Sequence, residues 1–72
     1  MSLAARVGKN VRRLREARGL SQEAFADFCK LHRTYLSGVE RGARNPTLAV
    51  LERIARALDV PAADLLREAR KR

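Results

Sequence analysis

The stretch Ser21-Gln-Glu-Ala-Phe-Ala-Asp-Phe-Cys-Lys-Leu-His-Arg-Thr-Tyr-Leu-Ser-Gly-Val-Glu-Arg41 decides the fold. It carries two short helical patterns separated by a tight break. The Ser21 hydroxyl is placed to accept a free backbone N–H of a first helical turn. Behind it Ala24, Phe25, Phe28 and Cys29 form an apolar face, which predicts a helix over Gln22–Cys29. Lys30 and Leu31 form the break. A second helix is predicted over about Arg33–Arg41, with Leu36 and Val39 pointing inward and Gly42 capping its end. Its outward face carries Arg33, Thr34, Ser37 and Gly38, with Tyr35 at the edge. That face is polar and nearly free of carboxylates, which suits a surface that approaches phosphates.

Upstream, Val7, Val11 and Leu14 recur on one helical face, with Arg6, Lys9, Arg12 and Arg13 around the remainder. A helix over about Leu3–Arg18 follows, ended by Gly19. Downstream, Ala43-Arg44-Asn45-Pro46 reads as a loop, because proline biases its predecessor away from helix. Thr47 is the next N-cap. Leu48, Leu51, Ile54, Ala55 and Leu58 make the strongest apolar stripe of the chain and predict a helix over Leu48–Leu58. Asp59-Val60 breaks it. Pro61 sits where a first helical turn tolerates proline. Leu65 and Leu66 then anchor a last helix ending near Arg70, with a basic end of Arg67, Arg70, Lys71 and Arg72. No segment alternates like a strand. The expected fold is all-α, a compact five-helix bundle forming one domain over residues 1–72, with a helix-turn-helix at about residues 21–41.

Seventy-two residues bury too little surface to enclose a substrate-sized pocket as well as a core, which argues for a binding module over an enzyme. Sixteen Lys and Arg against eight Asp and Glu give a formal net charge of +8. Such an excess favours polyanionic partners, although charge alone does not separate DNA, RNA and anionic lipid. The single Cys29 excludes an intrachain disulfide and suits a reducing cytoplasm. No apolar run approaches the ~20 residues of a membrane span, and the N-terminus lacks the apolar centre of a signal peptide. Cys29 and His32 lie three apart, but no second pair of ligands completes a tetrahedral metal site. No cofactor is expected.

Leu20-Ser-Gln-Glu-Ala-Phe-Ala26, the short turn, and Tyr35-Leu-Ser-Gly-Val-Glu-Arg-Gly42 together resemble the Cro/CI-type helix-turn-helix family of phage and bacterial repressors. Leu14-Arg15-Glu16, Arg44-Asn45-Pro46-Thr47 and the apolar fourth helix extend the likeness over nearly the whole chain. Within the family, His32 to Arg41 followed by Arg44-Asn45 is similar to the controller proteins of restriction–modification systems, which are single-domain dimeric regulators. Two positions depart from the family pattern. Lys30 stands where the turn often has glycine, and His32 where a small polar residue often caps the recognition helix.

The resemblance implies a lambda-repressor-like DNA-binding domain and assigns roles. Arg33, Thr34, Tyr35 and Ser37 are the expected base readers. Arg33 can bond O6 and N7 of guanine from the first turn of the recognition helix. Gln22 opens the second helix, whose amides favour anions, and is the expected phosphate clamp. Arg44 and Asn45 are candidates for phosphates on the other side. Arg15 and Glu40 are expected to form a structural ion pair between the first and third helices, with the modest coupling of an exposed pair, ~0.2–1 kcal/mol. Because the other faces are basic or must meet DNA, Val60 and Leu66 are the candidate dimer interface.

The expected function is therefore sequence-specific binding of double-stranded DNA at a palindromic operator, as a homodimer, to regulate transcription. A restriction–modification controller is the leading form, with a phage-type repressor or antitoxin as the alternative. Outside that class stands a protein-interaction domain whose charge is incidental. An RNA binder ranks lower, since the interleaved aromatics of a stacking platform are missing.

Overall fold

A computed structural model describes residues 1–68. Its five helices are α1 (Leu3–Ala17), α2 (Gln22–Cys29), α3 (Arg33–Glu40), α4 (Leu48–Leu58) and α5 (Ala63–Leu66). Side-chain oxygens start three of them. Ser2, Ser21 and Thr47 accept from the amides of Ala5, Ala24 and Val50, each at 3.1 Å. Each oxygen satisfies a first-turn donor that the helix itself cannot pair.

The first four helices end by one device. A left-handed residue (Gly19, Lys30, Gly42 or Asp59) turns the chain. The following amide then reaches back to a carbonyl five residues earlier, as Leu20 does to Arg15, Leu31 to Ala26, Ala43 to Gly38 and Val60 to Ala55. In three cases the residue after the turn (Leu20, Leu31 or Val60) packs half-buried on the core. The connections are therefore short because each helix end already carries its own turn and its own core anchor.

The core lies where these helices converge. Phe25, Leu36, Ile54, Leu58 and Leu65 are fully buried, as are Val11 and Val39. Burying a side chain of this size stabilises by about 1.5–3 kcal/mol. Cys29 sits in the same core, and burial pushes its thiol up to about 11, so it stays protonated at neutral pH.

Four sequence expectations are corrected here. Phe28 is 67% exposed and Ala24 is exposed, so the inward face of α2 is Phe25, Ala26 and Cys29. Leu48 is 83% exposed: it opens the apolar stripe of α4 but projects past the end of the core. Gly38 is buried on α3. Finally, α5 stops at Leu66, with Arg67 already extended, because the side chain of Asn10 takes the carbonyls of Leu65 and Arg67. The expected end near Arg70 and the basic tail Arg70, Lys71 and Arg72 lie outside the described residues.

Lys30 sits at φ 59°. An L-residue there crowds its Cβ against the carbonyl, a cost of roughly 1–2 kcal/mol that glycine avoids. Glycine's greater freedom in the unfolded chain offsets part of the relief. Lys30→Gly is therefore expected to raise stability by ~0.5–1 kcal/mol, about 4 °C in thermal midpoint for a chain of this size. A thermal melt checks this, and a lowered midpoint would refute the strain.

Candidate nucleic-acid interface

The site starts from a buried ion pair. Arg15 of α1 donates from Nε to Glu40 Oε2 at 2.6 Å and from Nη2 to Oε1 at 3.1 Å. Its Nη1 donates to the Leu20 carbonyl at 2.6 Å. The two side chains are 8% and 3% exposed, so this is no surface pair, and the modest worth expected for an exposed one does not apply. The Glu40 carboxylate, hydrogen-bonded to it, holds the Arg15 guanidinium above its ordinary value despite the burial that opposes it.

Glu40 also receives a third partner. Gln22, at the start of α2, donates from Nε2 to Glu40 Oε1 at 2.9 Å. One carboxylate thus ties together α1, the N-terminus of α2 and the end of α3. The second amide hydrogen and the carbonyl oxygen of Gln22 form none of the hydrogen bonds seen among the described residues. The side chain is held by one hand and offered by the other.

Gly8 sets the distance between α1 and α3. A Cβ there would lie 2.3 Å from the Val39 carbonyl oxygen and 2.6 Å from that of Glu40. The two backbones are therefore in direct contact just where Glu40 is held.

With its inner face clamped, α3 presents its first turn outward. Arg33 and Thr34 are exposed, and Tyr35 and Ser37 are half-buried. His32 has the extended backbone of an N-cap but makes no side-chain cap bond, leaving the first-turn amides of α3 without that acceptor. Gly38 is covered by Arg44: a Cβ at Gly38 would lie 2.6 Å from Arg44 Cγ. The Arg44 guanidinium carbon sits 5.7 Å from the centre of the Tyr35 ring, within cation–π range. The loop after α3 is thus folded across the middle of the helix, and its Arg44 and Asn45 remain exposed beside it.

Cations without a carboxylate partner occur on this face and also off it, where Arg6, Arg18, Lys30 and Arg53 form none of the ion pairs seen among the described residues. Arg12, Arg56 and Arg67 are neutralised by Glu16, Glu52 and Asp64. Among the described residues, Arg33, Arg41 and Arg44 have no carboxylate partner, nor do Lys9 and Arg13 on α1. Arg41, exposed at the end of α3, was passed over in the sequence as a mere helix end. Its unpaired charge is legible in the sequence, because the positions three and four away from it are Ser37, Gly38, Arg44 and Asn45, with no carboxylate.

The residues named as a partner surface do not behave alike. Val60 is half-buried against the core of its own chain, whereas Leu66 is 38% exposed beside the fully buried Leu65. Cys29 is buried and His32 exposed, and no cluster of three or more His, Cys, Asp or Glu suited to a metal occurs among the described residues. Among those residues no helix is long and apolar enough to cross a membrane.

The helix-turn-helix family HTH_3 matches residues 11–65. Control protein C.BamHI of Bacillus amyloliquefaciens is 48% identical over 60 residues, covering 82% of this chain and 74% of that protein. The restriction–modification controller protein C.AhdI from Aeromonas hydrophila superposes with a TM-score of 0.83 at 44% identity, covering 86% of this chain and 94% of its own. The restriction–modification controller protein C.Esp1396I, a tetramer in complex with its natural 35 base-pair operator, superposes with a TM-score of 0.80 at 35% identity, covering 90% and 86%. With the all-helical fold, the clamped recognition helix and these likenesses together, the chain belongs to the Cro/CI-type helix-turn-helix family and is similar within it to the controller proteins of restriction–modification systems.

Proposed function

We propose that this protein is a transcriptional regulator of the restriction–modification controller type, acting in the cytoplasm as a homodimer on a palindromic duplex operator. The observation that carries the reading is the exposed, cationic first turn of α3, locked through Glu40 to Gln22 at the start of α2. Such an arrangement holds a base-reading helix and a phosphate contact in fixed register. One recognition helix spans only a few base pairs. Two copies about a two-fold axis reach successive major grooves ~34 Å apart. The operator-bound tetramer of C.Esp1396I supports assembly of this kind. DNA binding and positioning are the whole of the proposed activity, with no catalytic step.

Within this reading Arg33, Thr34, Tyr35 and Ser37 face the bases, while Gln22, Arg44 and Asn45 contact phosphates. Tyr35 and Arg44, stacked on one another, act as a pair at the groove edge. Leu66 belongs to the partner surface. Val60 supports it from within the monomer.

Selection of bound duplexes from a random pool, followed by salt titration, tests the proposal. Log affinity should fall linearly with log salt, by ~0.9 per phosphate neutralised. Arg33→Ala should cost ~1–3 kcal/mol on the selected site and relax preference at one guanine. Gln22→Ala should instead weaken all duplexes about equally. A flat salt response or a preference for single strands would sink the proposal, and an unchanged selected sequence with Arg33→Ala would remove Arg33 from base readout.

A further inference from the structure

Asn10 is 2% exposed, a polar side chain in the middle of α1 with no part in the DNA face. Its Nδ2 donates to the carbonyls of Leu65 and Arg67, both at 2.8 Å. Its Oδ1 accepts from Arg13 Nη2 at 3.4 Å. Two acceptors at one end and a donor at the other fix the amide's orientation.

What the amide grips is a helix that cannot stand alone. α5 has four residues, a single turn, and Ala62 gives it no side-chain cap. A turn this short does not offset its own nucleation cost. Leu65 is the one fully buried side chain that anchors it in the core. The two bonds from Asn10 add fixed points on the backbone at Leu65 and Arg67. They also occupy carbonyls that the next turn would need, and Arg67 leaves in an extended conformation. Leu66 lies between the two gripped carbonyls, 38% exposed.

We infer that Asn10 is a positioning residue for self-association, holding the segment Leu65–Arg67 so that Leu66 is presented to a second copy of this chain. The inference rests on the reading of Leu66 as partner surface. Asn10 touches no partner atom in this account. It acts through the backbone it holds, on the two residues that flank Leu66.

The test is a double-mutant cycle on the dimer dissociation constant, measured by sedimentation with Asn10→Ala, Leu66→Ala and the double variant, alongside binding to a half-site duplex. Asn10→Ala and Leu66→Ala should each weaken dimerisation by about tenfold or more. Once Leu66 is gone, Asn10→Ala should add less than about twofold, because no apolar contact remains to be positioned. Half-site affinity should hold within about twofold, since a module with its clamp intact still docks. A dimer constant unchanged by Asn10→Ala overturns the role of Asn10 while leaving Leu66 in place. An equal loss in both backgrounds overturns it too, by making Asn10 a general core residue. A dimer indifferent to Leu66→Ala overturns the partner surface and the inference with it. If circular dichroism shows Asn10→Ala unfolded, Asn10→Ser, with one donor, takes its place in the cycle; unfolding of both assigns the amide to the core and overturns the inference.

Discussion

Arg15→Ala is expected to cost about 3–5 kcal/mol of folding stability, the penalty for leaving one partner of a buried ion pair uncompensated. The Glu40 carboxylate, 3% exposed, would keep only the Gln22 amide as a donor. Small domains stand near the low end of the ~5–15 kcal/mol range, so this is a large share of the total. The thermal midpoint should fall by roughly 4–8 °C for each kcal/mol. Replacing both partners with apolar residues, as Arg15→Met with Glu40→Leu, should restore much of the stability, because the desolvation of two charges disappears along with their attraction. DNA affinity should not return with it, since Gln22 would lose the carboxylate that orients it. Thermal melts and duplex titrations of Arg15→Ala, of Arg15→Met and Glu40→Leu singly, and of the double variant measure both effects and the coupling. A coupling between Arg15 and Glu40 below ~1 kcal/mol would place the pair with exposed ones and overturn this account.

Gly8→Ala gives the second large effect, and two physical arguments predict opposite signs for it. Helix propensity alone favours alanine by ~1 kcal/mol inside a helix such as α1. The tertiary structure opposes it, with the new methyl 2.3 Å from the Val39 carbonyl oxygen. That neighbour is backbone and cannot swing aside, so α1 and α3 must separate. Overpacking of this kind typically costs ~1–3 kcal/mol, more where the clash is with main chain, and here it should exceed the propensity gain. Moving α3 also shifts Glu40 away from Arg15 and Gln22. Specific duplex binding should then fall by more than the stability loss explains, because the base-reading turn and the phosphate clamp no longer share a register. A Gly8→Ala protein as stable as the wild type, with an unchanged preferred site, would refute the close approach as the element that sets α3.

Much of the site is legible in one dimension. Arg33 and Thr34 are exposed on α3 because they occupy its first turn, a position that follows from the break at Leu31 and the inward spacing of Leu36 and Val39. Gln22 opens α2 because Ser21 caps it. The resemblance supplied the partnership of Arg15 and Glu40, 25 residues apart, which no helical periodicity could link. It did not supply their burial, the third bond from Gln22, or the fold of Arg44 over Gly38 and Tyr35. The first two depend on how far apart two helices pack, and the third on the path of the loop that follows α3. Phe28 and Leu48 show the same limit from the other side. Both have the right chemistry and spacing for a core face, and both stand exposed once the helices are packed.

What the sequence determined by itself is the set of helices: α2 over Gln22–Cys29 and α4 over Leu48–Leu58 follow from caps, breaks and periodicity. Those signals are short-ranged, each satisfied within a turn or two of the residue that carries it. The tertiary structure alone decided which polar groups went inside. Asn10 ends α5 from 55 residues away, Glu40 joins three helices, and Gly8 lets two backbones touch. The free energy of a buried polar group is set by whether a partner arrives at hydrogen-bond distance, and that is a property of the packed helices together, carried by no single stretch of the chain.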